Sequence, residues 1–211
     1  MAGQNGNHSF ENLEKGVFIG TGKYNIPIIH QSDVPDITWL PFNYFNRTRV
    51  QDRYGLHFFI DDYQFKRVWH FPDKYIAPLQ KFGCVCSPDF SLYADMPFAL
   101  QLYNHYRKHW LAAYWQQAGI TVIPSISWSD KESFDFCFDG EPTHSTVVVS
   151  SVGAAKDNQS KKRFITGLDE MLYRLKPSQI LFFGQVPTEC SHYDCIVPVG
   201  TFYDKFKKGS T

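Results

Sequence analysis

The sequence lacks a dominant charge: 21 lysines and arginines balance 21 aspartates and glutamates over 211 residues. That balance excludes a long, wholly basic face for gripping a phosphate backbone. Cysteine is scarce and odd in number (Cys84, Cys86, Cys137, Cys190, Cys195), which excludes a disulfide scaffold and points to a reducing compartment. No apolar run approaches the roughly 18 residues that span a bilayer, and residues 1–10 are polar where a secretory leader would be apolar. The expectation is a soluble, cytoplasmic protein with no membrane partner. Glycine (14) and proline (12) stay near ordinary usage, which removes collagen-like and low-complexity chains. No internal repeat is visible, and the length is that of one domain.

Aromatic residues are abundant: 5 Trp, 12 Tyr and 19 Phe make 17% of the chain. With 43% hydrophobic residues the chain has ample material for a core. Residues 1–25 are rich in Gly and Asn and read as an arm, and 205–211 read as a basic tail. Between them, 26–204 read as a single α/β domain. Pro27, Pro35 and Pro41 forbid a long helix and favour extended chain over the core. Short apolar strands are expected at 56–60, 83–86, 120–127, 145–152 and 179–183, with helices at 72–82, 97–117 and 160–175. The helix at 97–117 has Ala99, Leu102, Tyr103, Tyr106, Trp110, Ala113 and Tyr114 at helical spacing, with Pro97 suited to its first turn and Asp95 to its dipole. Strands alternating with helices mean a mainly parallel sheet with flanking helices, either an open doubly wound sheet or a small, incomplete β/α barrel.

Ligands of parallel α/β folds sit at the carboxyl ends of the strands. That rim collects Asp61, Asp62, Asp89 and Asp95, the candidate catalytic carboxylates, which suit acid/base work or Mg²⁺. It also collects Ser91, Tyr93, Ser127, Trp128, Asp130, Ser150, Ser151, Gly153 and Gly184 as candidate ligand-binding residues; capping and turn duties are the plain alternative for any one of them. A Val-rich strand runs into Gly153 and Lys156, and the next helix opens with Lys161, Lys162 and Arg163. Three cations oppose the helix dipole there unless an anion docks. The loop is not a Walker A motif, and no nucleophile elbow is present. Cys84 and Cys86 share one strand face and read as core, while Cys190, His192 and Cys195 lack a fourth zinc ligand. Trp39, Tyr44, Tyr63, Tyr93 and Trp128 fall in expected loops, where rings stack on bases as readily as they fill a core.

Several runs together resemble a known family. They are 59–63 (Phe-Ile-Asp-Asp-Tyr), Arg67 to Trp69, 88–93 (Pro-Asp-Phe-Ser-Leu-Tyr), Asp95 to Pro97, and Asn104 with Tyr106 and Arg107. Tyr114 to Gln116, Gly119 to Pro124, Trp128, 136–140 (Phe-Cys-Phe-Asp-Gly), Ser150 to Gly153 and the strand before Gly184 complete the set. The chain is similar in this order of motifs, over 41–184, to domain-of-unknown-function family 4417. The resemblance implies a protein of phages or other mobile elements, acting in the cytoplasm of a bacterial host. It brings no catalytic residue set.

The leading expectation is a binder, or a processor, of a nucleotide or other phosphorylated small molecule. Gly153, Lys156, Lys161 and Arg163 would meet phosphate, Tyr93 and Trp128 would stack, and Asp61, Asp89 and Asp95 would take ribose hydroxyls or Mg²⁺. One alternative is single-stranded nucleic acid binding through residues 106–110 and 205–208, where bases alternate with rings. Another is a module that blocks a host protein. The sequence leaves the oligomeric state open.

Overall fold

The computed structural model describes residues 10–46, 51–153 and 157–200. Lys156, the tail 205–211 and the first nine residues therefore lie outside the described residues. A short antiparallel pair, β1 (Gly20–Thr21) and β2 (Ile26–Pro27), precedes the main body. Four parallel strands follow in chain order: β3 (Thr38–Pro41), β4 (Tyr54–His57), β5 (Cys84–Cys86) and β6 (Val122–Ile123). Three more, β7 (Thr146–Ser150), β8 (Gln179–Phe183) and β9 (Ile196–Val199), form a second parallel sheet.

A parallel bridge between Ser125 and Val148 joins the two sheets. It is made by Ile126 N–H on the Val148 carbonyl and Val148 N–H on the Pro124 carbonyl, both at 2.8 Å. Every strand from β3 to β9 thus lies beside its neighbour in sequence. A doubly wound sheet reverses its order at a switch point; this one never does. Rings from β3, from β4 and from the residues just after it reach a ring of β8: Trp39, His57 and Phe59 lie 5.5, 4.8 and 4.9 Å from Phe183 by centroid. Among the described residues no pairing joins β9 back to β3, so the incomplete barrel is the form adopted.

Helices supply the crossovers that parallel pairing requires. α1 (Arg67–His70) and α2 (Pro72–Leu79) follow β4, α3 (Phe98–Gln117) follows β5, and α4 (Asn158–Leu175) follows β7. α3 buries a face on nearly every turn, with Trp110, Leu111, Ala112 and Trp115 almost wholly enclosed. Pro97 stands just before it, and no side chain caps its first turn by a hydrogen bond. α4 is capped by Asp157, whose carboxylate accepts the Ser160 N–H at 2.8 Å.

Two apolar cores follow from this arrangement. One joins β3–β6 to α3 through Trp39, Phe42, Phe58, Phe65, Trp110 and Trp115. The other joins β7 and β8 to α4 through Val147, Val149, Leu168, Met171 and Phe182. Burying one such side chain contributes about 1.5–3 kcal/mol, so the rings account for much of the stability. The arm fastens to the first core: Trp110 Nε1 donates to the Gly16 carbonyl at 2.9 Å and Trp69 Nε1 to Glu11 at 3.0 Å. No helix among the described residues is long and apolar enough to cross a membrane.

Candidate functional site at the strand ends

The carboxyl ends of β4, β5, β6 and β7 open onto a cavity of about 560 Å³, within the range of small-molecule sites. Each strand stops where its apolar run ends, and the next few polar residues form the wall. After β4 come Phe59, Ile60 and Asp61; after β5, Asp89, Ser91 and Tyr93; after β6, Ser127 and Trp128; at the end of β7, Ser150, and after it Gly153. The first turns of α4 close the far side with Ser160, Arg163 and Phe164.

The floor is held by polar clips. Ser125 N–H donates to Ser87 Oγ at 2.8 Å and Ser125 Oγ to the Ser87 carbonyl at 2.9 Å, both serines fully buried. These bonds tie β5 to β6 beyond the point where their ladder stops. Asp62 organises the β5 loop: its carboxylate accepts from Ser91 Oγ at 2.8 Å and from Ser91 N–H at 3.3 Å, while Asn104 holds the Ser91 carbonyl at 2.7 Å. Trp128 lies on α4 where Gly167 leaves room, for a Cβ there would meet its Nε1 at 2.1 Å. Its ring stands 5.3 Å from that of Phe164.

Electrostatics differ from one side of the cavity to the other. Burial pushes the Asp89 carboxyl up to about 6, with Asp62 adding to the rise and Lys108 and the Ser127 hydrogen bond opposing it. On the opposite wall, Arg163 is half-buried and its Nε has no hydrogen-bond partner. An enclosed guanidinium N–H without an acceptor costs stability.

The structure gathers Asp61, Asp89, Ser91, Tyr93, Trp128, Ser150, Gly153 and Arg163 around this cavity. Others expected with them stand elsewhere. Asp62 is engaged with Ser91 and faces Arg107 at 3.9 Å. Asp95 is exposed in the turn before α3. Ser151 is buried and donates to the Gln185 carbonyl at 2.9 Å, tying β7 to the chain after β8. Gly184 turns at φ +89°, where a Cβ would press on Ser151 Oγ at 2.6 Å. Lys161 pairs with Glu189 at 2.7 Å, two positions out of phase with Arg163 on α4. The opposed-dipole argument is answered by Asp157 at the cap and Glu189 beside Lys161, so the charges need no anion to explain them.

The four carboxylates do not converge as metal ligands. Among the described residues, the group of His, Cys, Asp or Glu that does converge is His105, His109 and Glu141, all buried. Sequence reasoning missed it, although two histidines four apart on a helix share a face. The alternative nucleic-acid reading uses the same stretch, where bases and rings alternate. There Lys108, His109 and Trp110 are enclosed, while Tyr106 and Arg107 are half-buried. Burial also pushes the Cys84 and Cys137 thiols up to about 12, leaving them unsuited to attack as thiolates.

A family described as Domain of unknown function (DUF4417) matches residues 18–199. The chain is 36% identical over 198 residues to the Gene 1 protein of Mycobacterium phage L5, covering 92% of this chain and 86% of that protein. It is 38% identical over 176 residues to the Gene 1 protein of Mycobacterium phage D29, covering 80% of this chain and 63% of that one. No solved structure matches it. The motifs that build the cavity and the sheet beneath it lie inside the matched span, and the chain belongs to the DUF4417 family, a domain of unknown function that it shares with phage proteins.

Proposed function

We propose that this protein binds a nucleotide or a phosphorylated metabolite of similar size in the cavity at the ends of β4–β7. The observation that carries the reading is Arg163, a residue of the cavity wall whose Nε is buried and has no hydrogen-bond partner. A phosphate oxygen is the acceptor that an arginine fork matches best. Around it the wall supplies the rest of a nucleotide's needs: the rings of Phe59, Tyr93 and Trp128 for stacking, and Asp61, Ser91 and Ser127 for hydroxyls. The phage setting of the relatives fits a protein that holds or processes a phosphorylated metabolite of the infected cell. If turnover follows binding, Asp89 is the group suited to proton transfer, since burial brings its carboxyl to about 6.

The test is thermal denaturation against nucleoside mono- and triphosphates, cyclic dinucleotides, sugar phosphates and inorganic phosphate, with and without Mg²⁺. A ligand at 100 times its Kd adds about 2.7 kcal/mol of stability. A specific rise in Tm that Arg163→Ala abolishes supports the reading. A folded protein that responds to none of these probes overturns it.

A further inference from the structure

The cavity does not use the enclosed group formed by His105, His109 and Glu141. His105 and His109 stand on successive turns of α3, and Glu141 comes from the loop before β7. Gly140 lets that loop approach: at φ +76° a Cβ would lie 2.5 Å from the Pro27 carbonyl and 2.7 Å from His109 Nδ1.

Hydrogen-bond partners fix the tautomers. His109 Nδ1 lies 2.8 Å from the Pro27 carbonyl and His105 Nε2 lies 3.1 Å from the Asp139 carbonyl. A ring nitrogen facing a carbonyl oxygen carries the hydrogen, so the other nitrogen of each ring presents a lone pair. His109 Nε2 then meets Glu141 Oε1 at 3.0 Å, acceptor against acceptor. His105 Nδ1 and Glu141 Oε2 are both buried without any partner. One ligand atom from each of the three residues lies within 4.8 Å of the others, and with these tautomers none of the three groups offers a donor to another. Lys108 does not fill that role for all three. Its ammonium reaches Glu141 Oε1 at 2.7 Å and the Ser125 carbonyl at 2.9 Å, leaving His105 Nδ1 and Glu141 Oε2 unmet.

A proton placed on His109 Nε2 would repair one contact and leave two orphans. A divalent cation would repair all three. We propose that His105 Nδ1, His109 Nε2 and the Glu141 carboxylate bind a first-row divalent cation of the zinc class. Two imidazoles and one carboxylate form a familiar three-ligand zinc set, and nitrogen donors disfavour magnesium and calcium. Both rings already donate their other N–H to a backbone carbonyl, the outer contact that orients metal-binding histidines. Charge is compatible as well: Asp89 and Glu141 both act on Lys108, so two carboxylates face one ammonium before the cation is counted. The ion would pin α3 to β2 and to the 139–141 loop, apart from the cavity and independent of what the cavity binds.

The experiment is metal analysis of the full chain purified without chelator, followed by removal of metal and titration with Co²⁺. The expected result is one zinc-class ion per chain and a visible cobalt spectrum of low-coordinate nitrogen and oxygen ligation. His105→Gln keeps a donor for the Asp139 carbonyl and should weaken cobalt binding by more than about tenfold, with Glu141→Gln a second check. Wild-type protein that carries no metal, gains no Tm with Zn²⁺ and gives no cobalt spectrum overturns the proposal. So does a folded His105→Gln protein that binds cobalt as the wild type does. An imidazolium His109 in the metal-free protein at neutral pH, seen by nitrogen NMR and unchanged by Zn²⁺, would assign the space to a proton instead.

Discussion

The strand-end cavity and the enclosed histidine–glutamate group solve the same difficulty, polar atoms within an aromatic protein, in opposite ways. At the cavity most polar groups stand on loops around open space, and Arg163 keeps an unused donor. Around Glu141 the polar groups stand on a long helix and a tight loop, every one buried. Loops at strand ends suit a ligand that comes and goes, whereas a closed group on rigid elements suits permanent structure. The difference separates what substitutions should do: in the first region they change binding, in the second they change folding.

The largest effect is expected where a charge would lose its partner inside the protein. Glu141→Ala leaves Lys108, whose side chain is 2% exposed, without its carboxylate. Removing one member of a buried pair costs about 3–5 kcal/mol. Asp61→Asn at the exposed rim should stay within about 0.5 kcal/mol of wild type. Urea denaturation of the two variants checks the contrast, and equal losses would erase it.

Two glycines sharpen the comparison, because their backbones match and their surroundings do not. Gly140 and Gly153 have φ of +76° and +80°. A Cβ at Gly140 runs into Pro27 and His109, while one at Gly153 meets nothing within 4 Å. Gly140→Ala should therefore cost about 2–3 kcal/mol through strain and overlap, and Gly153→Ala about 1 kcal/mol through strain alone. Thermal unfolding of both proteins measures the gap.

Much of the scaffold was legible because its signals are local. β8 coincides with the expected 179–183, a continuous apolar run bounded by polar residues, and α3 follows its periodic face from Phe98 to Gln117. β3 and β9 go beyond the expected strands: Pro27, Pro35 and Pro41 point only to extended chain over the core, and no strand is expected at 196–199. β9 pairs only with β8, and an edge tolerates a proline. The rim rule names Asp61, Asp89 and Ser91, which line one cavity, while the run of cations opening α4 does not by itself tell Lys161 from Arg163. Helix phase turns Lys161 toward Glu189. His105 and His109 were legible as a spacing, but Glu141 joins them only through the fold, more than thirty positions along the chain.

Asp89 lies between the two regions, lining the cavity while Lys108 acts on it from behind. An acid whose folded value, about 6, exceeds its unfolded value of about 3.9 holds its proton more tightly when folded. Its contribution to stability is present below about pH 4 and is lost as pH rises through 6. Asp89→Asn should accordingly gain on wild type between pH 4 and 7, by about 1–3 kcal/mol if nothing else changes. A stability difference that is flat across that range would contradict the burial of this carboxyl. The smallest effect is expected from Lys161→Ala, which removes an exposed ion pair and should leave both Tm and any ligand response near wild type.

The most direct test of the cavity is calorimetric titration of the wild-type and Arg163→Ala proteins with whichever phosphorylated compound raises the Tm most. Arg163→Ala is expected to weaken binding by at least tenfold, while Lys161→Ala binds as the wild type does. Equal affinity in the wild-type and Arg163→Ala proteins would place the ligand elsewhere and contradict the central claim.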